Sequence, residues 1–595
     1  MMLTFFCALL LSTLHDGVYA APRIKSAKEK RLFGPTVKIT TPSATIEGSA
    51  LPFIGSAGGF VENFKGIPFA QPPVGNNRLR PPVPLDPSQA MGNVDATTLL
   101  PKQCPQFLLG EDIQIPNVPG VATDVLETIV DSPLLKNNII GGQEDCLTIN
   151  VQRPAGTKEG DKLPVMLWIF GGGFELGSTA MYDGSNVVAR SVELGKPVVF
   201  AAVNYRVGGF GFLAGKEILA EGSANLGLLD QRLGMQWVAD NIAAFGGDPD
   251  KVTLWGESAG AISIFDQLIA NNGDITYKGK PLFRAAIMNS GSAVPTDPVD
   301  SAKAQQVYDA VVQGVGCSGQ ADTLQCLREA EYEKLLKSMN SVPGILSFNA
   351  LALSYLPRPD GKFLVSLPEQ FATTGKLPNI PFILGDQKDE GTLFGIFTSN
   401  ISTTDDFKTY LKTLYFTNTD PQIVDEFVDV YPDDPTQGSP YDTGTENNFY
   451  PQFKRVAALL GDAVFTLSRR AVLNITTGVQ PGVKRWSYLS QYDQGTPVLG
   501  TFHGSDLIQV FYGIKDNFAA SAIVNYFLNF AYNLDPNDAS GGTRAAEGEQ
   551  LINWPDWASS NQLVVFDADK ASLMPDTFRQ PQFEFLLKNS GNLHF

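Results

Sequence analysis

Short apolar runs bounded by glycine or proline recur along the chain: PVMLWIF (164–170), PVVFAAVNY (197–205), KVTLW (251–255), FRAAIMN (283–289), IPFILG (380–385) and RWSYLSQY (485–492). Their length and their β-branched and aromatic content predict strands buried on both faces. Between them lie stretches with helical spacing of apolar positions, such as NLGLLDQRLGMQWVADNIAAF (225–245). Strands alternating with helices predict an α/β fold: a mostly parallel central sheet with helices on both faces. Functional residues in such folds gather at the carboxyl ends of the strands. No internal repeat and no Gly/Ser/Pro-rich linker interrupts the chain after residue 32, so 32–595 is expected to be a single domain.

The first residues break this pattern. The apolar run Leu3–Leu14 is too short to span a bilayer. The small-residue site Val18-Tyr19-Ala20 follows it, which reads as a secretory signal peptide over 1–20 although a basic start is missing. Residues 21–31 end in Lys30-Arg31 and read as a propeptide. No other segment approaches transmembrane length. Net charge is −18, which disfavours nucleic acid and anionic membrane surfaces as partners.

An exported chain carries its cysteines in an oxidising compartment. Cys7 leaves with the signal peptide. Cys104, Cys146, Cys317 and Cys326 then allow three pairings, of which the sequential one is the most local. No C-x-x-C or histidine cluster is present, so neither a metal nor a cofactor is expected. Asn400-Ile-Ser and Asn474-Ile-Thr are candidate glycosylation sites.

One constellation carries chemistry. The run KVTLW leads into Gly256-Glu257-Ser258-Ala259-Gly260 and then into the apolar-periodic AISIFDQLIA. A serine on a sharp strand-to-helix turn is the setting of an activated nucleophile, whereas a bare G-x-S-x-G is often only a helix cap. A serine hydroxyl needs a base. The chain has three histidines. His15 lies in the signal peptide, and His594 stands next to the terminus, where chains usually fray. His503 remains. An acid must orient it. The stretch DQKDEGTLF offers Asp386, Asp389 and Glu390, which spacing does not separate, and Asp506 is a further candidate. Gly171-Gly172-Gly173-Phe174 closes another strand and could present backbone N–H groups to an oxyanion, with Ala259 as a second donor.

Taken together, EDCLTINVQRP (144–154), GGGFELG (171–177), NYRVGGFGFL (204–213), NLGLLDQR (225–232), FGGDPDKVTLWGESAG (245–260) and the His503 segment resemble the type-B carboxylesterase/lipase family, in family order, over about residues 36–595. LSYLPRPDG (353–361), GDQKDEGTLF (385–394) and GTFHGSDLIQVFYG (500–513) are most similar to its fungal Candida rugosa-type lipase and sterol esterase branch. The resemblance implies an α/β-hydrolase fold with a disulfide-closed lid loop over about 105–145. It implies Ser258 as nucleophile, His503 as base and acid, Glu390 as orienting acid, and Gly172, Gly173 and Ala259 as oxyanion donors. It also implies disulfides Cys104–Cys146 and Cys317–Cys326, and structural ion pairs Arg78–Glu144 and Arg206–Asp230.

Within the expected lid, VATDVLETIVDS sets Val121, Ala122, Val125, Leu126, Ile129 and Val130 on one helical face, ending near Pro133. Phe174, Leu353, Leu356, Leu393 and Phe394 flank the motifs and are candidates for an acyl pocket. The expectation is a secreted, extracellular serine ester hydrolase, acting on long-chain acylglycerols and steryl esters at an oil–water interface through an acyl-enzyme. Self-association through an open lid is a further expectation. The rivals are a carboxylesterase of small soluble esters and a non-catalytic, cholinesterase-like adhesion protein.

Overall fold

A computed structural model describes residues 34–53, 59–107, 142–368, 370, 376–512, 517–537 and 551–595. The expected signal peptide and propeptide, and the lid helix 121–132, lie outside the described residues. The central sheet belongs to the compact unit Pro35–Phe595.

Eleven strands form that sheet: β1 (Ser49–Phe53), β2 (Gly59–Pro68), β3 (Thr148–Pro154), β4 (Leu163–Ile169), β5 (Val199–Val203), β6 (Gly247–Glu257), β7 (Ala285–Asn289), β8 (Phe382–Gln387), β9 (Arg485–Ser490), β10 (Gln562–Phe566) and β11 (Ala571–Pro575). Their spatial order is β11-β10-β9-β8-β7-β6-β4-β5-β3-β2-β1. The run from β10 to β5 is parallel throughout, and the pairings at both edges are antiparallel. All six strands predicted from apolar runs lie in the parallel stretch. Every residue of β5, β7, β8 and β9 is buried, as strands covered on both faces require. A smaller three-stranded sheet joins Thr36–Thr40 and Ser43–Glu47, which precede β1, to Gly92–Asp95, which follows β2.

The predicted helix over 225–245 appears as α1 (Leu226–Asn241), which tightens into a 3-10 turn over Ile242–Phe245. It packs on α2 (Ala259–Gly273), which lies on β4, β6 and β7. Phe518–Asn533 packs on β4 and β6. Arg206, just past β5, grips Asp230 of α1 with two bonds of 2.7 Å from Nε and Nη2, and both side chains are buried. Arg78 holds Glu144 in the same two-pronged way, at 2.5 and 2.6 Å. Cys104 is bonded to Cys146 and Cys317 to Cys326, the sequential pairing.

The fraying expected at the C-terminus is not found. The Phe595 ring is buried against Tyr415 and Phe416, with ring centroids 5.8 and 5.3 Å away. Its N–H donates to the Pro295 carbonyl at 3.0 Å, and its carbonyl accepts from Asp297 N–H at 3.2 Å. An aromatic last residue has enough apolar surface to hold the terminus down, which a rule based on position ignores.

Candidate active site

β6 ends at Glu257 and α2 begins at Ala259, so Ser258 alone makes the turn between them. It does so with φ 55° and ψ −125°, a strained conformation for a residue with a Cβ and one that the surroundings must enforce. They do so partly by close approach. A Cβ on Gly256 would stand 2.8 Å from the Ile169 carbonyl oxygen, and one on Gly260 would stand 2.0 Å from the same atom. Ser258 N–H donates to Asn289 O at 2.9 Å, tying the turn to the end of β7.

The turn projects the Ser258 hydroxyl toward His503, with Oγ 2.8 Å from Nε2. The other ring nitrogen, Nδ1, is 2.5 Å from Glu390 Oε2. His503 precedes α3 (Ser505–Tyr512), and Glu390 follows β8 by three residues. A bridge between Asp389 and Phe502 draws the two loops together. The Glu390 carboxylate is fixed in turn by Gln387 N–H, which donates to Oε1 at 2.6 Å. The other carboxylates considered from spacing are engaged elsewhere. Asp386 accepts from Arg469 at 2.6 Å. Asp389 accepts from Ser439, Tyr441 N–H and Thr501 N–H. Asp506 accepts from Asn289 at 3.1 Å.

All three side chains are buried, and their neighbours set the electrostatics. Burial opposes charge on the imidazole of His503, but the carboxylates of Glu390, Glu257 and Asp506 outweigh it and push its pKa up to about 9. Glu257 lies 3.4 Å from His503 Nε2, a neighbour that no sequence signal announced. Burial pushes its own carboxyl up to about 8, which favours the neutral acid at pH 7. The rings of Phe465 and Phe394 flank the imidazole, with centroids at 4.5 and 5.2 Å.

Gly171–Gly173 follow β4 beside this turn. The Gly172 carbonyl accepts from Glu175 and Leu176 N–H at 3.1 and 3.0 Å, which folds the stretch back on itself. Gly173 has φ 62°, and a Cβ there would strike Ile345 at 2.5 Å. Gly173, Ser258 and Ala259 border one cavity of about 40 Å³ whose other walls are mostly apolar. Of the candidate pocket residues, Phe174, Leu353 and Leu356 line it. Leu393 and Phe394 do not: they belong to the short helix Thr392–Gly395 after Glu390, where Phe394 stacks on Phe465. Phe595 and Asp266 also line the cavity, and no motif announced either. Asn400 and Asn474 are exposed. Among the described residues no cluster suited to a metal is found, and no helix is long and apolar enough to cross a membrane.

A mostly parallel sheet, with a strained serine between strand and helix and a histidine and a carboxylate brought in by later loops, defines an α/β-hydrolase. The comparisons agree: the family model of the carboxylesterase family matches residues 35–586, so the chain belongs to that family. It is 53% identical to secreted lipase 1 of Botryotinia fuckeliana, covering 94% of each chain. It is 52% identical to a secreted triacylglycerol lipase of Gibberella zeae, covering 96% of this chain and 93% of that one. The crystal structure of EstA from Aspergillus niger superposes with a TM-score of 0.74 at 26% identity, covering 95% of this chain and 99% of that one.

Proposed function

We propose that the protein is a secreted lipase that cleaves long-chain carboxylic esters through an acyl-enzyme. The observation that carries this is the line of contacts from Ser258 Oγ to His503 Nε2, and from Nδ1 to Glu390. Ser258 Oγ attacks the ester carbonyl carbon while His503 Nε2 takes its proton. Glu390 accepts a hydrogen bond from Nδ1–H, which fixes the tautomer and stabilises the imidazolium. N–H groups of Gly172, Gly173 and Ala259 donate to the tetrahedral oxyanion, and the start of α2 adds its dipole. His503 then protonates the departing alkoxide. Water, deprotonated by His503, attacks the acyl-enzyme, and the carboxylic acid and free Ser258 are released.

The substrate class draws on the names of the relatives above and on the apolar cavity that meets Ser258. Triacylglycerols are the first choice and steryl esters a second. The relatives' names also support export; the bounds that go with this reading, residues 1–20 as signal peptide, 21–31 as propeptide and 32–595 as the catalytic domain, come from the sequence alone. Glycans on Asn400 and Asn474, a lid over 105–145 that opens at a lipid surface, and self-association through that open face belong to the same reading.

Rates on emulsified triolein, emulsified cholesteryl oleate and a soluble short-chain ester, with Ser258→Ala as blank, test it. High rates on both emulsions are expected. Activity confined to the soluble ester would make the protein a carboxylesterase of small esters instead.

A further inference from the structure

Four and eight residues beyond Ser258, Ile262 and Asp266 fall on one face of α2. Both line the cavity that holds Ser258. The rest of that cavity's lining is mostly hydrocarbon, including Val294, Leu356, Leu364 and Pro368, and the Thr296 hydroxyl is taken up by the Pro357 carbonyl at 3.0 Å. Asp266 is 3% exposed. Its Oδ2 is buried without a hydrogen-bond partner among the described residues. Burial pushes its carboxyl well above the usual range, with no cation or donor opposing the effect. A neutral carboxyl offers one donor and retains acceptor capacity. Leaving such a group unpaired costs stability. A cavity shaped only for plain hydrocarbon would be better served by leucine at this position.

The spacing indicates what would pair with it. α2 is regular from Ala259 to Ile269, and eight residues of helix rise about 12 Å. An extended acyl chain attached to Ser258 covers that span in roughly nine or ten carbons. We propose that Asp266 is a specificity-determining residue that hydrogen-bonds a hydroxyl near the middle of the acyl chain, so that the cavity selects hydroxylated long-chain acyl esters. This rests on the ester-hydrolase reading above.

The test compares kcat/KM for p-nitrophenyl esters of a plain C18 acid and of the same acid hydroxylated at about carbon 10. The hydroxylated-to-plain ratio is measured for the wild type, Asp266→Leu and Asp266→Asn. The expected ratio falls roughly tenfold in Asp266→Leu and stays within about threefold of wild type in Asp266→Asn, which keeps a polar partner. A second series needs no variant: on the wild type, mid-chain hydroxylation should outperform hydroxylation near either end of the chain. An unchanged ratio in Asp266→Leu would overturn the proposal, as would a wild type indifferent to hydroxyl position. If Asp266→Leu does not fold, the positional series decides alone. A wild type active on the plain ester but blind to the hydroxyl sinks this inference only. One inactive on every ester sinks the ester-hydrolase reading with it.

Discussion

Gly260 and Ile169 touch so closely that a Cβ on the first would stand 2.0 Å from the carbonyl oxygen of the second. That contact presses the start of α2 against the end of β4 and leaves Ser258 the turn it occupies. Gly260→Ala is therefore expected to cost at least about 2 kcal/mol, the upper part of the overpacking range. It should also remove most ester hydrolysis by displacing the hydroxyl. Urea midpoints and specific activity measured on one preparation check both halves. A fully active, equally stable Gly260→Ala would show that the turn is held some other way.

The carboxyls around His503 predict a particular pH dependence. A general base must be neutral, and Glu390, Glu257 and Asp506 favour the charged imidazole, with a pKa of about 9. Activity should therefore rise as pH increases from 6.5 toward 9. Glu257, with its own pKa of about 8, adds its charge only in the upper part of that range, so Glu257→Gln should move the upper part of the rising limb to lower pH. A profile that falls between pH 7 and 9, or a limb that Glu257→Gln leaves in place, contradicts this account.

The buried pair Arg206–Asp230 is structural in this reading. Asp230→Ala leaves the guanidinium buried without its carboxylate, and a loss of about 3–5 kcal/mol is expected. Thermal or denaturant unfolding measures it. A change below about 1 kcal/mol would mean that the site relaxes or that water reaches Arg206.

Phe595 both closes the chain and lines the cavity. Deleting it should lower kcat/KM for long-chain esters more than for acetate or butyrate esters, because a longer chain draws more of its binding from the apolar lining that Phe595 belongs to. An equal effect across chain lengths would indicate general loosening of the fold instead.

These elements also show what could be read from the chain alone. The six apolar runs were legible because parallel strands, covered on both faces, need no polar alternation. QLVVF, which became β10 at the edge of the parallel run, and the antiparallel β1 and β2 were not read as strands. The turn at Ser258 was legible from its two glycines, and His503 from the scarcity of histidines. The choice among Asp386, Asp389 and Glu390 was not legible from spacing, because it depends on Arg469, Ser439, Tyr441 and Thr501, which only the fold brings near. Leu393 and Phe394 illustrate the same limit: nearness to a motif in sequence does not fix which way a short helix turns its side chains. Asp266 and Phe595 carried no local signal, since one looks like a polar helix position and the other like a loose end.

The central claim is that Ser258 is a nucleophile activated by His503. Labelling with a fluorophosphonate, followed by peptide mass spectrometry, tests it directly. One label per chain on Ser258 is predicted in the wild type, with labelling abolished in Ser258→Ala and slowed at least about a hundredfold in His503→Ala. A folded wild type that hydrolyses esters yet carries no label on Ser258 would contradict it.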